Sequence, residues 1–161
     1  MKNILTISII FIFNLLNAQI TFNNDGVNLS SATGNAPDLS KTVAAGTDRL
    51  LVVFIGTDDL TNTPTVTYNG SNMTLGAQDD DFGSSNLDAQ IFIFYQVLGT
   101  GSSISSTVSV TGITSEYFTG AASWQGVDQA SPMVNSVAAG IPMNIQMTMT
   151  LGSIGTGNLI I

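Results

Sequence analysis

An unbroken apolar run, residues 50–55, marks the centre of the predicted fold. It follows Asp48 and Arg49 and ends at Gly56, and three of its six residues are β-branched. Because the run is too short for a normal helix and is apolar at every position, it predicts a strand that is buried on both faces of a sheet. Similar strands are predicted over residues 90–98 and 118–127, and the three are expected to form the middle of a sandwich.

Alternation of polar and apolar residues predicts shorter strands elsewhere in the chain. The runs 64–68 and 71–75 alternate on either side of Asn69-Gly70, a dipeptide that favours a two-residue type I′ hairpin turn. Residues 104–111 and 143–151 alternate as well, which predicts strands with one wet face. Residues 28–40 lack this pattern and are interpreted as loop or irregular edge, with a strand starting at Lys41.

About nine or ten short strands, without a helix or a βαβ alternation, predict an all-β fold: an antiparallel β-sandwich, jelly-roll-like in its connections. Residues 19–161 should form it as a single domain. The chain ends in the apolar run 157–161, which predicts a strand cut off as it enters the sheet and hence a domain truncated at its C-terminus, with an open edge beside that strand. The residues expected to be largely buried are Leu51, Val53, Ile91, Ile93, Val108, Val110, Ala122 and Trp124.

Residues 1–18 predict a helical secretory signal peptide that precedes the domain. Lys2 supplies the positive region, residues 4–16 supply the apolar segment, and Ala18 offers a small residue at the cleavage point. An uncleaved membrane anchor is the alternative, disfavoured by the short apolar segment and the lack of a stop-transfer flank. No later stretch approaches the ~18 consecutive apolar residues that a spanning helix needs. The predicted location is therefore secreted or cell surface, with no membrane span after cleavage.

Composition and charge exclude several classes of function. The formal net charge is −8, and the three cations are Lys2, Lys41 and Arg49, so a phosphate backbone finds almost nothing to neutralise and nucleic acid is excluded as a partner. The chain has no histidine and no cysteine. It therefore has no Ser-His-Asp triad, no cysteine nucleophile and no histidine-bearing metal site.

A pair of carboxylates is the catalytic chemistry that the composition leaves open. A glycosidase needs two carboxylates about 5–10 Å apart across a sugar. Glu116 is the single glutamate and the aspartates are numerous, but Glu116 between Ser115 and Tyr117 is also typical of a solvated residue at the entrance of a strand. The prediction is that the protein is not an enzyme, with a carbohydrate-active enzyme kept as an alternative.

Acidic loops make Ca²⁺ the one cofactor candidate. Carboxylates cluster at Asp58-Asp59 and Asp79-Asp80-Asp81, with Asp88 shortly after. Ca²⁺ takes six to eight oxygen ligands, although the spacing here matches no EF-hand. The alternative is that these aspartates keep the strand ends soluble and block edge pairing.

Aromatic residues offer a candidate ligand site with an equally plain alternative. Trp124 shares a predicted face with Phe118, Gly120 and Ala122, and could be a sugar-stacking platform together with Tyr95 and Tyr117. A single tryptophan in an alternating strand is more often part of the core, because aromatic side chains supply much of the buried area of a sandwich.

Four segments of the chain follow one another in a recognisable order: 49–53, 66–70, 94–98 and 120–132, the last reading Gly-Ala-Ala-Ser-Trp-Gln-Gly-Val-Asp-Gln-Ala-Ser-Pro. Together they resemble a β-sandwich module that recurs in large secreted and cell-surface proteins of bacteria, and the signal peptide resembles those of Bacteroidota. The resemblance implies a fold and a location but no assigned activity. The resulting prediction is a secreted, non-catalytic module for adhesion, scaffolding or carbohydrate binding, whose partner is a polysaccharide or another cell-surface protein. A pure structural spacer is a further alternative.

Overall fold

The structure, a computed structural model, describes residues 19–23, 28–32, 39–59, 61–79, 90–141, 144–152 and 159–160. Every regular element in these ranges is a β-strand, as the alternation patterns predicted. None of these residues belongs to a helix long and apolar enough to cross a membrane. The predicted signal peptide, residues 1–18, lies outside the described residues.

The described residues form thirteen strands, more than the nine or ten predicted. In chain order they are β1 (Thr21–Phe22), β2 (Asn28–Ala32), β3 (Leu39–Val43), β4 (Gly46–Thr57), β5 (Thr65–Tyr68), β6 (Ser71–Asn72), β7 (Thr74–Asp79), β8 (Gln90–Gly101), β9 (Ile104–Thr111), β10 (Tyr117–Gln125), β11 (Met133–Ile141), β12 (Asn144–Leu151) and β13 (Leu159–Ile160).

Two antiparallel sheets pack against each other as a β-sandwich. The larger sheet has six strands in the order β1-β10-β4-β8-β7, with β2 also pairing to β10, and the smaller has four in the order β3-β9-β5-β6. A further sheet of three strands, β11-β12-β13, includes the strand predicted at the end of the chain. Since β10, β4 and β8 are neighbours, the three predicted middle strands are confirmed. The narrower jelly-roll assignment stays a prediction.

Strand β4 separates two hydrophobic cores, which explains its unbroken apolar run. Leu51, Val53 and Ile55 point into the core between the two sheets of the sandwich. Leu50 and Val52 point the other way, into a second core with Trp124, Val127 and Leu151. All five of these β4 side chains are fully buried, and each such burial stabilises the fold by roughly 1.5–3 kcal/mol.

The predicted hairpin turn is confirmed in type. Asn69 has φ 50° and Gly70 has φ 73°, and positive values at both central positions define a type I′ turn. The amide of Met73 closes the hairpin on the carbonyl of Val66 at 2.8 Å. Beyond Met73 the chain leaves the smaller sheet and enters β7 of the larger one.

The interpretation of residues 28–40 as loop or irregular edge is wrong at residues 28–32 and 39–40, which are regular strand, while residues 33–38 lie outside the described residues. Residues Asn28–Ala32 form β2, which is held by its antiparallel ladder with β10 rather than by any apolar pattern of its own. Strand β3 starts at Leu39, two residues before the predicted start, because Leu39, Lys41 and Val43 all point inward. A lysine at the central inward position conceals the alternation in the sequence.

Six of the eight residues predicted to be buried are buried. Ile91 and Val110 are half-buried instead. Each lies one residue from an end of its strand, where the cover from the facing layer is thinner. These two differences arise from position along the strand. The continuous apolar runs leave the in/out phase open in the sequence, and the structure resolves it: Leu51 and Val53 face the core between the sheets, whereas Ile93, Ala122 and Trp124 face the second core.

Candidate functional site

The three aromatic residues predicted to bind a ligand are divided between the two cores. Tyr117 is 3% exposed and lies between the two sheets of the sandwich. Trp124 is 6% exposed in the second core, and the half-buried Tyr95 packs against that core. Trp124 also meets Phe22 edge-on, with ring centroids 5.8 Å apart. The structure therefore does not bring the three rings together as one platform, and their ligand-binding role stays a prediction that their burial disfavours.

The most exposed aromatic ring of the described residues lies on the same sheet face and is that of Phe118. Phe118, Gly120, Ala122 and Trp124 alternate along β10 and share its outer face, as predicted. The exposed fraction is 67% at Phe118 but only 4% at Ala122. The cover over this face, which includes Val127 and Leu151, thus protects the Trp124 end and leaves the Phe118 end open.

Phe118 belongs to a row of residues that crosses the large sheet. It pairs with Gly56 on β4, which pairs with Ile91 on β8, which in turn pairs with Asp79 on β7. A Cβ atom added at Gly56 would meet no atom within 4 Å, so the position beside Phe118 is open. Ile91 is half-buried. We call Phe118, Gly56 and Ile91 the Phe118 patch.

Two exposed carboxylates border the Phe118 patch. Thr57 on β4 pairs with Tyr117 on β10. Asp58 directly follows Thr57, Glu116 directly precedes Tyr117, and both acidic residues are exposed. Neighbouring strands lie about 4.8 Å apart, so these two residues leave adjoining strand ends. The hydroxyl of Thr57 donates to the backbone carbonyl of Glu116 at 2.8 Å and holds the two strand ends together.

Asp59 anchors the loop that carries Asp58. One oxygen of its carboxylate accepts from the amide and hydroxyl of Thr61, at 3.0 and 2.8 Å, and the other accepts from the amide and hydroxyl of Thr114, at 3.0 and 3.1 Å. The side-chain amide of Asn62 bridges both oxygens at 3.2 Å. These donors, the amide of Thr114 first, hold the pKa of Asp59 well below its usual range.

Because Asp59 bonds to Thr61 in its own loop and to Thr114 two residues before Glu116, it fixes the segments of both exposed carboxylates relative to each other. Its role in the described structure is to position them. This difference in role could not be predicted from the sequence, since Asp58 and Asp59 are alike in type and neighbours in the chain.

The calcium prediction involves the same end of the sheet. Asp79 ends β7 in the row of Gly56, so both predicted acidic segments leave this end, but Asp80, Asp81 and Asp88 lie outside the described residues. Among the residues that are described, no three histidine, cysteine or acidic side chains form a group able to hold a metal ion. The donors on Asp59 already occupy both of its oxygens. Calcium binding stays a prediction.

Both cations of the described chain are buried. Arg49 is 2% exposed, and its guanidinium donates to the carbonyls of Gly99, Ser102, Ala44 and Leu98 at 2.9, 2.6, 3.2 and 3.3 Å. Lys41 is fully buried and points inward from β3, an edge strand of the smaller sheet, and an inward charge discourages pairing at such an edge. The exposed charged side chains of the described residues are therefore all acidic.

Sequence reasoning missed the Phe118 patch, the Asp59 anchor and the burial of both cations. The sequence shows which side chains of β10 share a face. It does not show where along that face the packing from other segments ends. The spacing of Leu39, Lys41 and Val43 was the one local signal for an inward lysine. Comparisons of this chain with protein families, with curated proteins and with solved structures find no match.

Proposed function

We propose that this protein is a secreted, non-catalytic β-sandwich module of the bacterial cell surface that binds polysaccharide through the Phe118 patch. The observation that carries the proposal is the exposed ring of Phe118 beside the open position at Gly56. The location comes from the predicted signal peptide and from the resemblance to bacterial surface modules. Of adhesion, scaffolding and carbohydrate binding, the patch favours carbohydrate binding, for the reasons that follow.

The chemistry of the patch suits a sugar ring. A sugar presents apolar C–H groups on its faces and hydroxyl groups around its rim. Phe118 offers an apolar ring, and Gly56 leaves room for a flat ligand beside it. Asp58 and Glu116 are acceptors at the border of the patch, where hydroxyl groups would donate to them.

The size of the patch also favours a sugar over a protein. A phenylalanine side chain buries roughly 150–250 Å² when it is covered. With 67% of Phe118 exposed, its ring supplies on the order of 100–150 Å². A standard protein interface needs about 800 Å² from each partner. A pure spacer has no use for an exposed apolar ring. For a ligand that covers the ring, the burial contributes up to roughly 1.5–3 kcal/mol of binding free energy.

A carbohydrate-active enzyme is the second candidate, because Asp58 and Glu116 lie on adjoining strand ends next to the patch. Glycosidases use two carboxylates about 5–10 Å apart. Hydrolysis of a bound glycan, detected as new reducing ends and lost in both Asp58→Asn and Glu116→Gln, would establish this candidate. Binding without release of reducing ends is the result that the non-catalytic proposal predicts.

The test is a glycan array on the purified protein, with and without Ca²⁺, followed by titration of the best ligand. Phe118→Ala should weaken binding at least tenfold. Gly56→Val should also weaken it by filling the open space, and we expect stability to be kept, since a Cβ atom at this position meets no atom within 4 Å.

Phe22→Ala is the matched control. Phe22 is a phenylalanine that is 45% exposed and packs against Trp124 at the far end of the same sheet face. Its removal should leave binding unchanged. A protein that binds no glycan, or a Phe118→Ala variant that binds like the wild type, would refute the proposal.

A further inference from the structure

We infer that the glycan bound by the Phe118 patch carries protonated amino groups, as a partly deacetylated polymer of amino sugars does. This inference depends on the proposed function and goes further by fixing the charge of the ligand. It follows from the charges around the patch, from the chemistry of its ring and from the way the backbone beneath it is paired.

The charges around the patch are of one sign. Asp58 and Glu116 are exposed at its border. Arg49 and Lys41, the cations of the described chain, are 2% and 0% exposed and are not available to a ligand. The whole chain has a formal charge of −8. An anionic polysaccharide is therefore repelled, and a cationic one is attracted even before contact.

The ring and the carboxylates act on different parts of the same sugar. An aromatic ring stacks on the apolar face of a sugar, whereas carboxylates attract an ammonium group at its rim. Asp58 and Glu116 lie just beyond the strand ends, two residues along the chain from Gly56 and Phe118, and two residues of extended chain span roughly 7 Å. This separation matches the span of one sugar ring. A sugar stacked on Phe118 can thus direct an amino substituent at its rim toward the carboxylates.

The backbone beneath the patch argues against a basic peptide, which would satisfy the same charges. Phe118 is in β10, which is paired by β2 on one side and β4 on the other, and Gly56 is in β4, which is paired by β10 and β8. A peptide cannot add to this sheet as a strand at these positions, because such addition needs an open edge. It would have to bind through an exposed apolar area far below the usual protein interface. A second copy of the chain is disfavoured because the exposed charges of the described residues repel one another.

The test compares two oligosaccharides of the same length, a fully deacetylated and a fully acetylated glucosamine oligomer, by calorimetric titration of the purified protein at low and high salt. We expect the deacetylated oligomer to bind at least tenfold more tightly at low salt. The preference should shrink as salt screens the carboxylates.

Variants separate the charge from the ring. In the double variant Asp58→Asn with Glu116→Gln, the preference for the deacetylated oligomer should fall to within about twofold while binding of the acetylated oligomer persists. Phe118→Ala should weaken both. Asp128→Asn is the matched control, since Asp128 is an aspartate next to Val127, away from the patch, and its Oδ1 accepts from the amide of Ala130, as an asparagine can. It should keep the preference.

Three results would overturn the inference, and they differ in what they say of the proposed function. Equal or tighter binding of the acetylated oligomer would refute the charge requirement and leave glycan binding intact. Binding of oligolysine of equal charge, with neither oligosaccharide bound, would replace the glycan by a basic peptide. Absence of binding to both oligomers and to every glycan of the array would refute the inference and the proposed function together.

Discussion

Replacement of Arg49 by methionine tests how the site-bearing sheet is held at its other end. The guanidinium joins the end of β8, through Leu98 and Gly99, and the turn that follows it, through Ser102, to the turn before β4, through Ala44. Methionine keeps much of the side-chain volume of arginine. It also removes the cost of burying a charge, and this change alone would stabilise the fold. The four carbonyls stay, however, and they lose their donors.

The lost donors outweigh the relieved charge because these carbonyls are backbone groups that cannot be replaced by apolar ones. A buried polar group without a partner costs about 1–3 kcal/mol. Ser102 is exposed, so water can reach its carbonyl, whereas Leu98 and Ala44 are half-buried. We therefore expect a net loss of about 3 kcal/mol. In a domain of this size that lowers the melting temperature by about 6–12 °C.

The assay is urea and thermal unfolding followed by the fluorescence of Trp124, the single tryptophan, which is 6% exposed. Arg49→Lys should fall between wild type and Arg49→Met, because one ammonium cannot reach all four carbonyls. The control Thr107→Ala, at an exposed position of β9, should stay within about 0.5 kcal/mol of wild type. If Arg49→Met also stays within that margin, the assigned role of Arg49 is wrong.

Three further predictions concern the acidic end and the backbone. Asp59→Asn should lower the melting temperature at pH 7, and in a series of melts the difference from wild type should shrink below about pH 4. The reason is that the pKa of Asp59 is lowered in the folded state, so its carboxylate stabilises the fold above the pKa of the unfolded state, and this stabilisation is lost as the pH falls. Gly126→Ala should cost about 2 kcal/mol in urea, since φ is +76° and a Cβ would lie 2.6 Å from the carbonyl of Gln19, whereas Gly56→Ala should be neutral. Millimolar Ca²⁺ should raise the melting temperature if the acidic segments bind it; an unchanged melt in EDTA would leave them as solubilising residues.

Features that depend only on the local pattern of apolar and polar residues could be predicted from the sequence. The run 50–55 is apolar at every position because β4 has a core on each side, and that pattern needs no knowledge of the neighbours. Asn69-Gly70 is equally local, since both residues tolerate positive φ. The sandwich follows from many such signals that agree.

The candidate site could not be predicted in the same way, because its exposure depends on distant segments. Phe118 and Trp124 have the same parity on one strand, yet one is 67% exposed and the other 6%. The difference comes from Val127 and Leu151, which pack over the second and not the first. For the same reason, only the fold could show that Lys41 and Arg49 are buried and that the exposed charges of the described residues are therefore all negative.

The central claim, that ligands bind at the Phe118 end of the outer sheet face, is tested most directly by mapping backbone amide shifts in NMR spectra during titration with the tightest-binding glycan. The largest shifts should fall on Gly56, Ile91 and Phe118, while the indole signal of Trp124 stays in place. Shifts centred on Trp124 and Tyr95, with the Phe118 patch unchanged, would contradict the account.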